Sequence, residues 1–276
     1  MNVEPIRSAQ NAKLKALRAL RAGKERESTV LEGRHLLEDA LEAEAQVDWV
    51  LVVEDADLED PLLQRAAATG AEILPCEAQL LHAVSRLDSP SDLLAWVERP
   101  ETDWREAIAQ SKADAWWLIA AGVQDPGNLG ALARVAAGFG AAGLICLKGG
   151  ASPWHPRALR GASGTTFRLP VFERVETEAF LEAAAARSME LWATDADGEP
   201  LDEVVSETSH HQPVGVLLGE EGQGLGPQLQ AACTRIVGIP LKRGVESLNV
   251  ATAAAVVGWA LSQSQQANAD HHSVPE

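Results

Sequence analysis

No run of eighteen or more uninterrupted apolar residues occurs in the 276-residue chain, which excludes a hydrophobic helix long enough to cross a bilayer. The stretch MNVEPIRSAQNAKLK at the start lacks the apolar segment of a secretion signal, so a cytoplasmic protein is expected. Cysteine is scarce as well. Cys76, Cys146 and Cys233 lie far apart, with no CxxC pair and no regular histidine spacing, so no metal site is expected and buried free thiols are. Cys146, inside the run Leu144, Ile145, Cys146, Leu147, reads as a small hydrophobe. Positive charge is in short supply too: 23 Lys and Arg stand against 40 Asp and Glu, a net charge of -17. A surface that is negative overall repels a polyanion, which argues against a generic nucleic-acid binder.

The charge is unevenly spread. Between residues 7 and 34, eight basic residues face three acids, leaving that segment at +5 and the rest at -22. Lys13, Lys15, Arg18 and Arg34 belong to it, and such a stripe reads equally as a solvated helix face or as a contact for RNA phosphates.

With 46% hydrophobic residues the chain can fill two cores of ordinary size. Leu14, Leu17 and Leu20 recur at three-residue steps, predicting an amphipathic helix over 8–22 that ends at Gly23. Strands at 29–32, 47–53, 73–74 and 93–97 alternate with helices at 34–43, 61–69 and 77–86, which makes an α/β unit over 1–99. Residues 100–113, with Pro100 and several charges, read as a linker with room for one helical turn. A second α/β unit over 114–264 follows, with strands at 116–121, 144–147, 191–194, 214–218 and 235–239 and helices at 131–139 and 248–263. The continuous apolar run at 116–121 suits a strand buried on both faces, so a mainly parallel sheet is expected, with functional loops at its carboxyl edge. Residues 265–276 are polar and aperiodic and read as a frayed, disordered tail.

Three loops of the second unit carry chemistry. The first is Gln124, Asp125, Pro126, Gly127, Asn128, Leu129, Gly130, with Asn128 where a helix cap belongs and Arg134 on the helix that follows. Turn residues and a surface arginine account for it equally well. The second, after strand 214–218, runs from Gly219 through Glu220, Glu221, Gly222, Gln223 and Gly224 to Gly226. Its glycines let backbone approach a flat ligand, and its two glutamates oppose a pyrophosphate and favour a ligand with a positive centre. A simple glycine-rich turn is the plainer alternative. The third runs from Ile239 through Leu241 to Ser247, Leu248 and Asn249 at the mouth of an apolar helix. Ser247 suits a helix cap, and Asn249 in the first turn of a buried helix needs partners for its amide.

Together these loops resemble the three signature motifs of the SpoU/TrmH family, the ribose 2′-O-methyltransferases of the knotted SPOUT class. Asn128, Gly130, Ala131, Arg134 and Phe139-Gly140 match the first motif; Gly219, Glu221, Gly224 and Leu225 the second; Ile239-Pro240 with Ser247-Leu248-Asn249-Val250 the third. Pro156, Arg157, Arg160, Ser163 and Gly164 fit the stretch between motifs one and two. More weakly, Asn11 to Leu17 and Leu31-Glu32-Gly33-Arg34 resemble the small ribosomal-protein-like substrate-binding domain of these enzymes. Leu241 stands where the family often has Met, and Val135 where it often has Thr.

The resemblance implies a trefoil knot in the second unit, S-adenosylmethionine as methyl donor, RNA as substrate with ribosomal favoured over transfer RNA, a homodimer, and no metal. It places the cofactor at Leu218, Gly219, Gly224, Ile239, Leu241 and Leu248. Catalysis falls to Arg134, acting as a base or by gripping the adjacent phosphate, with Asn128, Glu221, Ser247 and Asn249 holding it and the ribose. RNA contacts fall to Lys13, Lys15, Arg18, Arg34, Arg157 and Arg160. Two rivals predict other outcomes: a catalytically silent RNA-binding protein of the same fold, and a nucleotide-dependent oxidoreductase, which needs a GxGxxG that the loop 124–130 lacks.

Overall fold

In the computed structural model, which describes residues 4–85, 91–100, 102–208, 211–220 and 224–272, apolar periodicity sorts the chain into two compact units, Met1–Glu101 and Thr102–Glu276. The first begins with helix α1 (Ala12–Arg21), capped by the Asn11 side chain, which buries Leu14 and Leu17 and leaves its basic residues outside. It continues through β1 (Ser28–Glu32), α2 (Arg34–Glu42), β2 (Val47–Val53), α3 (Pro61–Ala68), β3 (Glu72–Cys76), α4 (Ala78–His82) and β4 (Leu93–Glu98). The sheet order is β1-β4-β2-β3, with β4 antiparallel to both neighbours and β2 parallel to β3. Trp49 and Trp96, cross-strand partners on β2 and β4, stack at 5.2 Å.

The second unit comprises α5 (Trp104–Ala109), β5 (Trp116–Ala121), α6 (Pro126–Gly138), β6 (Gly143–Leu147), α7 (Pro156–Ala162), β7 (Val171–Val175), α8 (Thr177–Ala186), β8 (Glu190–Pro200), α9 (Leu201–Glu207), β9 (Val214–Gly219), α10 (Pro227–Ala232), β10 (Arg235–Gly238) and α11 (Val250–His272). Its strands run in the order β10-β8-β9-β5-β6-β7, and every pair is parallel. Consecutive tryptophans show why β5 is apolar throughout: Trp116 enters the core under α6, α9 and α11, while Trp117 enters the opposite core with Ile108 of α5 and Phe180 of α8. From β5 the chain winds outward to β6 and β7, and only then returns to the other side for β8, β9 and β10. That reversal leaves a crevice at the carboxyl ends of β5 and β9, where open parallel sheets take their ligands.

Four details differ from the sequence expectation. The stretch 104–109 is helix α5, whose Ile108 is buried in the second unit, so much of the expected linker is core. Strand β7 was not legible because VFERV carries a charged pair in its middle, and Arg174 takes φ +58 at an irregularity in the β6–β7 register. Helix α6 starts at Pro126 and is capped by the side chain of Asp125, so Asn128 sits inside the first turn rather than at the cap. Helix α11 is capped by Asn249, not Ser247, and runs on through 265–272, where fraying was expected; the Gln265 amide donates to the carbonyl of Asp114.

Helices α6 and α7 approach so closely that a Cβ on Gly130 would lie 2.1 Å from the carbonyl oxygen of Ala158. Backbone cannot yield as a flexible side chain does. Gly130→Ala is therefore expected to lose about 1–3 kcal/mol to overpacking, read as a lowered midpoint in urea unfolding.

Candidate active site

The three loops meet at the carboxyl edge of the second sheet. One cavity of about 120 Å³ lies beyond β8 and β10, lined by Thr194, Asp195, Val237, Ile239, Leu241, Glu246, Ser247, Leu248 and Ala253. A second, of about 190 Å³, occupies the crevice between β5 and β9 and is lined by Val123, Gln124, Asp125, Asn128, Gly219 and Glu220.

A hydrogen bond ties the first loop to the third. Asn249 Nδ2 donates to Asn128 Oδ1 at 3.0 Å, across 121 residues of sequence. The other end of the same amide accepts from the Ala251 N–H at 3.0 Å, so Asn249 caps α11 and reaches α6 at once. Asn128 lines the crevice cavity, and Ser247 and Leu248, just before Asn249, line the other. Asp125 fixes Asn128 in turn: its Oδ1 accepts from the Asn128 N–H at 2.9 Å, and its Oδ2 pairs with Arg157 at 3.3 Å.

Gly219 is needed for a reason other than the one expected. A Cβ there would meet Gly224 backbone atoms at 2.4 and 2.5 Å, because Glu220 and Gly224 exchange backbone hydrogen bonds that fold the loop against the end of β9. Gly224 itself holds φ +67. The glycine permits the turn to close; it does not simply leave room for a ligand.

Several expected residues lie elsewhere. Leu218 is buried in the core below the loop and lines neither cavity. Arg134 is exposed and lines neither cavity; a helix rises about 9 Å and turns by about 120° net over six residues, which takes it off the Asn128 face. Glu221 lies outside the described residues. In the first unit, Lys13 pairs with Glu72 at 3.1 Å and sits over the Trp49 ring, Arg18 donates to the Ala9 carbonyl, and Arg34 grips Asp60 with two contacts of 2.8 Å. That grip holds the Asp60 carboxyl below its usual range. Lys15, Arg157 and Arg160 are exposed.

Gln124, Asp125 and Glu220 lie in loops the sequence had marked for chemistry, whereas Thr194, Asp195 and Glu246 were not singled out as lining groups. Thr194 and Asp195 were within reach of one rule, since they leave the expected strand 191–194 at its carboxyl end.

A family profile described as the SpoU rRNA Methylase family matches residues 115–259, and one described as an MRM3-like substrate binding domain matches 11–95. The chain belongs to the SpoU rRNA methylase family. That family is one of RNA methylases. The 23S rRNA (guanosine(2553)-2′-O)-methyltransferase RlmP of Bacillus subtilis is 29% identical over 263 residues, 94% of this chain and 99% of that one. A crystal structure of an RNA 2′-O ribose methyltransferase, 28% identical, superposes with a TM-score of 0.74 over 95% of this chain and all of that one (100%). The fold is shared with the SpoU methyltransferase AviRb of Streptomyces viridochromogenes, solved with its cofactor AdoMet: TM-score 0.80, 24% identity, 93% of this chain and 99% of that one.

The SpoU-family site suits this cofactor on its own chemistry. Val237, Ile239, Leu241 and Leu248 offer apolar flanks to a flat adenine, and Asp195 and Glu246 offer acceptors beside a cationic ligand. Among the described residues no cluster of His, Cys, Asp and Glu has the makings of a metal site. Two accounts of Gly219 can be separated. Gly219→Val should weaken S-adenosylmethionine binding by at least tenfold in calorimetry and also lower the melting temperature of the ligand-free protein. A ligand-space role alone predicts the first effect without the second.

Proposed function

We propose that the chain methylates a ribose 2′-hydroxyl of ribosomal RNA, with the donor in the β8–β10 cavity and the acceptor nucleotide at the β5–β9 crevice. The observation that carries this is the Asn249–Asn128 hydrogen bond, which ties the wall of one cavity to the wall of the other. Ribosomal RNA is favoured by the description of the family profile over 115–259 and by the activity of the Bacillus subtilis relative. Three free cysteines fit a reducing cytoplasm.

Bound S-adenosylmethionine supplies an electrophilic methyl on a sulfonium centre. That methyl would be delivered to the ribose oxygen, the neutral thioether leaving with the electron pair of the carbon–sulfur bond and the hydroxyl proton passing to solvent water. Alignment of oxygen, carbon and sulfur lowers the barrier, and it is the task of Asn128, Asn249, Ser247 and Glu221. Ile239, Leu241 and Leu248 hold the donor, while Gly219 and Gly224 shape the turn that borders the neighbouring crevice. Arg134 is a poor base, because a guanidinium stays protonated near neutrality; it serves by gripping the phosphate beside the reacting ribose and steadying the charge that develops on oxygen.

Arg134 meets the acceptor across a homodimer. It is exposed and lines neither cavity of its own chain, and α6 packs on α11, which presents Trp259 with 56% of its surface exposed. An aromatic so placed is suited to burial against a second copy. The SPOUT knot, formed as the segment after β10 threads under an earlier loop, would fix α11 in that position.

Arg134→Ala should leave S-adenosylmethionine affinity within twofold and cut radiolabelled methyl transfer to unmodified 23S ribosomal RNA by at least 100-fold. Transfer at the wild-type rate would remove Arg134 from the mechanism. Mixing Arg134→Ala with an Asn249→Ala variant should restore activity through heterodimers if the arginine acts in trans; no recovery after subunit exchange would place it in cis.

A further inference from the structure

The turn that bridges the two ends of the third loop is built from residues to which none of the foregoing gives a role. Lys242 and Arg243 are both exposed, and neither has an ion pair among the described residues. Several other cations of the second unit are occupied, Lys148 by Glu176 at 2.6 Å, Arg157 by Asp125, Arg235 by Glu199 and Glu207, and Arg187 by the Ser111 carbonyl, whereas Lys242 and Arg243 stand free side by side in one turn. Leu241 on one side of the pair and Glu246 and Ser247 on the other line the donor cavity, so the two free charges stand at its rim.

The backbone makes the arginine conspicuous. Arg243 has φ +61 and Gly244 φ +71, and the Val245 N–H reaches back to the Lys242 carbonyl at 3.4 Å. Positive φ at both central positions is the pattern that asparagine followed by glycine fills without strain. An arginine pays in side-chain crowding for that conformation, and among the described residues its guanidinium meets no carboxylate that would offset it. Two uncompensated positive charges on a chain of net charge -17 mark a place where an anion is met.

The geometry points to Lys242 and Arg243 as a clamp on the phosphodiester backbone of the RNA strand beside the target nucleotide, positioning the acceptor without touching the reacting atoms. This rests on the RNA-methylating reading above. It also locates the charge by which an acidic protein meets a polyanion: in part at the reaction edge of the second unit, and not only along the basic segment of the first, where Lys13, Arg18 and Arg34 are already engaged.

The test is a full-length variant carrying Lys242→Gln and Arg243→Asn, the second of which suits the turn and should keep or raise the melting temperature. Binding to 23S ribosomal RNA transcribed in vitro is measured from low to moderate salt, with S-adenosylmethionine affinity measured in parallel. Each lost phosphate contact on a single strand lowers the slope of log K against log salt by about 0.7, so the slope should flatten by about 1.4. RNA affinity at moderate salt should fall on the order of tenfold, cofactor affinity should stay within twofold, and KM for RNA should rise more than kcat falls. An unchanged slope overturns the clamp. A loss of cofactor affinity overturns it as well, assigning the charges to the carboxylate of the methionine moiety. If the wild type binds this RNA yet transfers no methyl to it, the reaction reading fails, while the difference in slope still decides the clamp.

Discussion

The arrangement of this protein turns on an amide pair. Asn128 and Asn249 come from helices at opposite ends of the catalytic unit, and the hydrogen bond between them closes the carboxyl edge of the sheet. An isolated side-chain hydrogen bond is worth only about 0.5–1.5 kcal/mol, too little to hold two helices together. The α6–α11 packing supplies that. The amide pair supplies register, setting how the mouth of the donor cavity faces the crevice, and the surrounding groups converge on it: Asp125 caps α6 beneath Asn128, and the loop at Gly219 folds tightly enough to line the same crevice.

The charge balance gains a physical account at the same edge. Asp195 and Glu246 line the donor cavity, where a sulfonium-bearing ligand is welcome, and Asp125 and Glu220 line the neighbouring crevice. Lys242 and Arg243 flank the donor cavity, and Arg160 is exposed on α7. An enzyme that must bind a cationic donor and a polyanionic substrate side by side needs this separation, and a net charge of -17 need not oppose it when the positive residues are placed where the strand passes.

Much of this was legible in the residues. Continuous apolar runs gave the parallel strands, and three motifs in order gave the loops, because burial and turn chemistry act locally. Strand β7 escaped because pairing with β6, not its own pattern, makes it a strand. The true caps escaped because Asp125 competes with Asn128, and Asn249 with Ser247, in ways settled only by where each helix starts. Residues 265–272 escaped because polar residues extend a helix once packing has nucleated it, and 273–276 lie outside the described residues. Gly219 carries a second constraint beside the expected one: an added Cβ would meet the backbone of Gly224, a contact invisible until the loop is folded. The off-face position of Arg134 follows from helix geometry, but only once α6 is known to begin at Pro126.

The central claim is that the asparagine pair acts as one unit, and a double-mutant cycle on it is the most direct measurement. Single alanine replacements at 128 and 249 and the double replacement are compared by kcat/KM for methyl transfer to 23S ribosomal RNA. Coupling of about 1–2 kcal/mol, with the double variant little worse than either single one, is the predicted result. Additivity within about 0.5 kcal/mol would contradict the account, leaving the two amides as independent neighbours and the two cavities without the link on which the proposed reaction depends.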